Sequence, residues 1–312
     1  MKTKALSISK EGIREASDIL RSGGLVAFPT ETVYGLGADA TNDSAVAKIF
    51  AAKARPTFNP LIVHVASLAA AGEIVELSGN ARVLAEAFWP GALTLVAPLK
   101  PGSPISKLVT AGGELCAVRV PDHPVGHALL TEVGKPIAAP SANPSGRISP
   151  TTPEHVLAGL DGRIDAVIDG EQCQVGLEST IVGLLPEPTL LRAGGIPAEA
   201  IEACLGTKLA TLTATDNPIA PGQLASHYAP SGDIRIDADT ANDDEYMIGF
   251  GSIDGDVNLS PSGDLTEAAA NLFSFLHAAD ATGKKIAVAP IPDTGLGRAI
   301  NDRLIRAAAP RV

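Results

Sequence analysis

The stretch KARPTFNPL, residues 53–61, sets Lys53 and Arg55 ahead of two prolines and an asparagine. No Asp or Glu stands between Ser44 and Gly72, although the whole chain carries a formal charge of -11. A guanidinium offers a planar fork of donors that suits phosphate, and an ammonium offers a point charge. Cations left without nearby carboxylates suit an anionic group such as a phosphate. The plainer reading is a solvated helix end, where cations complement the macrodipole. It accounts for Lys53 easily. It accounts less well for Arg55 and Asn59, which Pro56 and Pro60 hold in a constrained loop. His64 follows in an apolar stretch, where a histidine is as readily a core residue as a ligand contact.

Other segments offer related chemistry. FPTETVYGLGAD (28–39) crowds Thr30, Glu31, Thr32 and Tyr34 behind an apolar run, a place where open α/β sheets bind ligands and where capped turns also occur. Arg119 sits between valines and needs a partner if buried; Asp122 or a ligand anion would serve. APSANPSGRISP (139–150) supplies Ser141, Asn143, Ser145, Gly146 and Ser149. Small polar residues and glycine let backbone N–H groups converge on an anion, or simply form a polar loop. GLESTIVG (176–183) brings Ser179 and Thr180, and LLRAGG (190–195) brings Arg192. Convergence of these strand ends at one sheet edge would make an oxyanion-rich site.

Several chemistries find no motif. There is no GxxxxGK[ST], GxSxG or HExxH. His123 and His127 are four apart, but Pro124 and Gly126 lie between them and no third zinc ligand is evident. GLGADA (35–40) fits GxGxx[GA], yet it starts six residues beyond the apolar run and lacks the later acid of a dinucleotide site. It reads as a turn.

The elements that must position these residues follow from patterning. Helical spacing is seen at 11–21, 44–55, 81–89, 125–133, 154–160 and 198–205. Strands are expected at LVAFP, LIVHVAS, ALTLVAPL, LCAVRVP, PIAAPS, DAVIDG, STIVGLL and TLLRAGG. Several strands follow each other directly, so the sheet is expected to be mixed within an α/β domain. Beyond Gly206 a Thr/Pro/Ala-rich stretch without period reads as a linker. A small second α/β unit follows, with strands at EYMIGFGS and KIAVAPIP and helices at 265–280 and 297–309. A length of 312 residues, with 45% hydrophobic and 19% charged, suits two globular domains. The acidic balance argues against a general polyanion-binding surface. Three scattered cysteines read as reduced thiols of a cytoplasmic protein. No apolar run is long enough for a membrane span.

Taken together, FPTETVYGLGADA, KARPTFNPLIVHV, APSANPSGRISPT, GLESTIV and LLRAGGI resemble the signatures of the YrdC family, in order, over roughly residues 8–207. APGQLASHYAP is similar to the linker of that family's long members, and GLGRAINDRLIRAA to the end of their small C-terminal domain. The resemblance implies a YrdC-like catalytic domain (1–207) with a twisted mixed sheet, a linker or lid (208–232), and a small Rossmann-like α/β domain (233–312). It implies a threonylcarbamoyl-AMP synthase, a nucleotidyltransferase that condenses L-threonine, bicarbonate or CO2, and ATP with Mg2+, and releases pyrophosphate. The product would pass to a tRNA-modifying transferase.

By motif position, Thr32, His64, Arg119, Ala139 (through its backbone) and Ser179 correspond to the threonine pocket. Arg55, Asn59, Ser141, Ser149 and Arg192 correspond to nucleotide contacts. Lys53 and Asn143 would serve the phosphates, with Lys53 and Arg55 as the catalytic cations. Tyr228 would close over the nucleotide, and no residue is implied as a protein-borne metal ligand. Gln223 and Ala225 stand where some relatives carry bulkier or basic residues. The linker is expected to dock as a lid: Tyr228→Ala would impair turnover without altering stability, and truncation near residue 207 would leave a folded domain. Two rivals are a double-stranded-RNA-binding module with weak RNA contact and a non-catalytic relative. The acidic chain argues against the first, and joint retention of Lys53, Arg55, Ser141 and Asn143 against the second.

Overall fold

The computed structural model describes residues 2–184, 186–211 and 226–310. In chain order these form β1 (Lys4–Leu6), α1 (Lys10–Arg21), β2 (Val26–Phe28), β3 (Gly35–Asp39), α2 (Asp43–Lys53), β4 (Ile62–His64), α3 (Leu68–Gly72) and α4 (Asn80–Phe88). Next come β5 (Leu93–Pro98), β6 (Leu115–Arg119), α5 (Pro124–Val133), β7 (Ile137–Ala138), α6 (Pro153–Leu160), β8 (Ala166–Ile168), β9 (Thr180–Gly183), β10 (Thr189–Arg192), α7 (Ala198–Leu205) and β11 (Ala210–Thr211). A second group follows: β12 (Ile234–Arg235), β13 (Glu245–Gly249), β14 (Val257–Asn258), α8 (Leu265–Ala281), β15 (Lys285–Val288) and α9 (Gly297–Ala308).

The helices begin where local chemistry lets them. Asn42 caps α2 by accepting from the N–H groups of Ser44 and Ala45, and the helix stops with Ala54 in the left-handed region at φ 50°. Pro56 then forbids continuation. His123 caps α5 by accepting from Gly126 N–H, with Pro124 in the first turn. His127 instead reaches the Ala66 carbonyl, so the two histidines serve different structural roles.

The first eighteen elements build a mixed sheet in the order β1-β8-β2-β3-β7-β4-β6-β5-β9-β10-β11. GLGADA is not a turn. Gly35–Asp39 is the buried strand β3, antiparallel to β2. Its glycines serve close packing: a Cβ at Gly37 would come within 3.0 Å of both Phe28 and Ile137. The second group builds a sheet in the order β12-β15-β13-β14, with every pair parallel.

Side-chain alternation decides where the core lies and where it stops. On one face of the large sheet, Val63, Val118, Leu36 and Ala38 pack with Ala45, Val46 and Ile49 of α2. Leu93, Leu95 and Val182 pack on α4 and α7. On the other face, α1 and α5 cover β2, β8 and Ile137 of β7. They stop there. Beyond them Ile62, Val96, Ala117, Ile181 and Leu191 form a small apolar cluster to which no helix among the described residues contributes.

Part of the expected linker is ordered by its neighbours. Ala210 and Thr211 pair with β10, whereas Gln223 and Ala225 lie outside the described residues. Residues 226–232 run between the two sheets, where Ala229 N–H donates to Gly146 O at 2.8 Å. Val33, Ile148 and Leu177 of the first unit share one apolar cluster with Tyr228, Phe273 and Leu276. Gly176 is required at this junction. It holds φ 71°, and a Cβ there would collide with the backbone of Ala269 and Ala270 in α8.

Candidate active site

The sheet face that the helices leave open carries the polar residues. His64 and Arg119 are register partners in the parallel β4–β6 pair, so their side chains project to the same side. Ser179 precedes β9 and reaches that side too, where its hydroxyl lies 2.7 Å from that of Thr94. Ala139 and Ser141 arrive from the segment after β7, and Arg192 from the end of β10. Alternation explains the mixture: the same face is polar at the end where β4 and β6 finish and apolar farther along. The motifs therefore meet over a sheet face rather than at a bare sheet edge.

Arg119 is held on three sides. Its Nε donates to Gly91 O at 3.1 Å and its Nη1 to Thr32 Oγ1 at 2.8 Å. Its Nη2 lies 2.5 Å from a Glu31 carboxylate oxygen. Glu31, not the exposed Asp122, is thus its counter-ion; the turn after β2 carries Glu31 to Arg119, while Asp122 faces solvent. That turn is fixed by its own hydroxyls, since Thr30 Oγ1 donates to Val33 O at 2.7 Å and lies 2.8 Å from Thr32 Oγ1. His64 is fully enclosed. Burial first, and the Arg119 charge second, push its imidazole down to about 3, so it is neutral at ordinary pH.

The same cavity is also lined by Arg55, Ser141, Arg192, His227 and Tyr228. Arg55 donates through Nη2 to Pro60 O at 2.9 Å and has no carboxylate partner among the described residues. Burial brings its pKa down to about 10, with Tyr228 acting against that and Arg192 adding to it. Arg192 donates to the Ser179 carbonyl at 2.9 Å. The Tyr228 hydroxyl is buried with no hydrogen-bond partner among the described residues. The free space between these groups is about 50 Å³, far under the roughly 300 Å³ at which small-molecule sites begin. With His227 and Tyr228 in place, no nucleotide fits.

Nine of the residues singled out in the sequence thus line one cavity: Thr32, Arg55, His64, Arg119, Ala139, Ser141, Ser179, Arg192 and Tyr228. Four others stand behind its wall. The Lys53 ammonium is buried and donates to the carbonyls of Ser141 and Asn143. Burial, then the nearby Arg55, drive its pKa well below the ordinary lysine value. Asn59 is enclosed, with both side-chain polar atoms unpartnered among the described residues. Asn143 faces a groove between the two units and donates to Pro144 O and Arg147 O. Ser149 Oγ donates to a Glu178 carboxylate oxygen at 2.5 Å.

The sequence reading passed over Glu178, Thr94 and Arg303. Each left a trace. Glu178 is a lone charge at the entry to an apolar strand, and Thr94 a lone hydroxyl within one. Arg303 falls on the apolar stripe of Ile300, Leu304 and Ala307. Glu178 lines the cavity. Burial opposes its ionisation, but Arg303, Arg192 and the Ser149 hydroxyl outweigh that and hold its carboxyl below the usual range.

Comparison with known proteins gives the family. A family model described as "Telomere recombination", covering Sua5, YciO and YrdC, matches residues 18–194. One described as "Threonylcarbamoyl-AMP synthase, C-terminal domain" matches residues 196–309. The chain is 42% identical to a threonylcarbamoyl-AMP synthase of Bacillus subtilis, over 99% of this chain and 96% of that protein. It is 40% identical to one of Pyrococcus abyssi, over 96% and 95%. A crystal structure of P. abyssi Sua5 complexed with L-threonine superposes with a TM-score of 0.90 at 37% identity, covering 99% of this chain and 98% of that one. The chain belongs to the Sua5/YciO/YrdC family, in its two-domain form with the threonylcarbamoyl-AMP synthase C-terminal domain.

Proposed function

We propose that this chain is a threonylcarbamoyl-AMP synthase. The carrying observation is the single cavity lined by His64, Arg119, Ser179, Arg55, Arg192 and Tyr228. An amino acid offers a carboxylate and a hydroxyl, and a nucleotide offers phosphates. The lining supplies donors for both. In this reading Thr32, His64, Arg119, Ala139 and Ser179 hold L-threonine, while Arg55, Ser141, Arg192 and Tyr228 meet ATP. Lys53, Asn143 and Ser149 shape the wall behind them, and Asn59 supplies an amide that is unpartnered until a ligand arrives.

The threonine amine, once deprotonated, attacks the carbon of CO2 or dehydrated bicarbonate and forms a carbamate. A carbamate oxygen then attacks the α-phosphorus of ATP, the bond to the β-phosphate bridge breaks, and pyrophosphate leaves. No side chain need bond to substrate. The residues contribute positioning and charge stabilisation. Glu31 and Glu178 are each engaged by an arginine, so Mg2+ is read as arriving on the ATP phosphates, as part of that substrate.

Residues 1–207 form the catalytic unit in this reading, 208–232 the lid and 233–312 its support. The lid withdraws to admit ATP and returns to exclude water from the carbamate and the adenylate. The product is read as substrate for a transferase that modifies tRNA in the cytoplasm. No helix among the described residues is long and apolar enough to cross a membrane. The decisive experiment measures pyrophosphate release with threonine, bicarbonate or ATP omitted in turn. Release is expected only with all three, and equal release without threonine overturns the proposal.

A further inference from the structure

Arg303 belongs to α9, in the second unit, yet its charge is spent on the cavity of the first. Its side chain is 0% exposed. Nε donates to Glu178 Oε2 at 2.9 Å, and Nη1 donates to Ala193 O and Asp302 Oδ2, both at 2.8 Å. Its guanidinium carbon lies 5.2 Å from the centre of the Tyr228 ring. The same helix accepts from the lid backbone, because His227 N–H donates to Arg306 O at 3.2 Å. One helix of the second unit therefore grips three things at once: the cavity carboxylate, the lid ring and the lid backbone.

A simple interdomain ion pair is the plainer account, and it falls short. A buried pair contributes little net stability relative to apolar groups of the same volume. This junction already has apolar packing from Leu177, Ile148 and Phe273. What a buried guanidinium adds is fixed geometry and compensated charge. Glu178 matters here because it borders a space read as receiving phosphates. An uncompensated carboxylate there would repel them. Its other oxygen is already held by Ser149, so Arg303 completes its hold. Tyr228 meanwhile adopts φ 63°, a strained value for a residue with a side chain. Such a conformation persists only if its surroundings enforce it.

We infer that Arg303 is a positioning residue for ATP: it draws Glu178 away from the phosphates, while its contact with Tyr228 steadies the closed lid that must first withdraw. The inference rests on the synthase reading and adds to it a residue from outside the catalytic unit.

The test compares the wild type with Arg303→Gln, Arg303→Lys and the double variant Arg303→Gln/Glu178→Gln. Pyrophosphate release is measured with ATP and threonine varied separately, and ATP binding by calorimetry. Arg303→Gln is expected to raise KM and Kd for ATP about tenfold or more, with KM for threonine within about twofold. Arg303→Lys, which keeps the charge but not the fork, recovers part of the loss. The double variant removes both members of the buried pair, so it folds even where the single variant does not. Because it removes the repelling carboxylate as well, its ATP affinity is expected to return to the wild-type value or better. Unchanged ATP parameters in folded Arg303→Gln, or in Arg303→Lys should the first fail to fold, overturn the inference, as does a double variant that binds ATP no better than Arg303→Gln. So does an equal rise for both substrates, which marks general loosening. A wild type without threonine-dependent release overturns the synthase reading instead.

Discussion

The Glu31 carboxylate lies 2.5 Å from the Arg119 guanidinium, and both side chains are less than a tenth exposed. Removing one partner of a buried pair strands the other charge, at about 3–5 kcal/mol. Glu31→Gln is therefore expected to lose stability on that scale in urea unfolding. It should also change KM for threonine more than KM for ATP, because Arg119 also holds Thr32. Equal effects on both substrates would place Glu31 outside the threonine side.

Arg55 and Lys53 are two residues apart but should behave differently. Arg55→Ala removes a cavity cation, which typically costs about 1.5–3 kcal/mol of binding, or roughly ten- to hundredfold in ATP affinity. Lys53→Met leaves the buried carbonyls of Ser141 and Asn143 without their donor, at about 1–3 kcal/mol each, partly offset by removal of a buried charge. The expected outcome is weaker ATP binding with near-native melting for the first, and lowered melting for the second. Native melting with hundredfold weaker binding in Lys53→Met would show instead that its ammonium reaches phosphate.

Tyr228→Ala should impair both catalysis and stability. The ring is 1% exposed, 5.7 Å from that of Phe273, and lies under Arg303. Burial in the shared core corrects the expectation that an unliganded Tyr228→Ala would melt like the wild type. Loss of a buried aromatic typically costs about 3–5 kcal/mol, and thermal unfolding without ligand measures it.

Acid should unfold the protein early. Burial holds His64 and His227 down to about 3 and His277 to about 4. In the unfolded chain they titrate near 6.5. Below that value the unfolded state binds more protons, so stability falls steadily from about pH 6.5 downward. At pH 5 the loss is on the order of 1–2 kcal/mol per histidine. Urea midpoints between pH 7 and 5 check this. A flat profile would mean that these imidazoles are accessible to protons in the native state.

How much could be read in advance differs by element. Strands with strong apolar runs, such as Leu93–Pro98, and helices with a clear stripe, such as α7, were legible from periodicity. The strand Gly35–Asp39 was not, because two glycines mimic a turn while answering to the Phe28 ring above them. Strands of two or three residues, such as β1 and β12, carry too little pattern to stand out. At the site, residue types together with the resemblance to the YrdC family pointed to nine cavity residues. Burial could not be read, so Lys53 was expected to face phosphate when its ammonium is spent on two carbonyls. Glu178 and Arg303 each stand out locally as a charge among apolar residues, but local spacing cannot pair them across 125 positions.

The shared apolar cluster has a bearing on cooperativity. Val33, Ile148 and Leu177 are covered by Phe273, Leu276 and Tyr228, so neither unit keeps a dry surface once the other unfolds. Truncation near residue 207 would bare that patch as well as remove the lid, and an exposed patch of this kind favours self-association. A heat-capacity scan of the whole chain should accordingly show one sharp transition, its calorimetric and van't Hoff enthalpies equal, from a polypeptide built as two sheets.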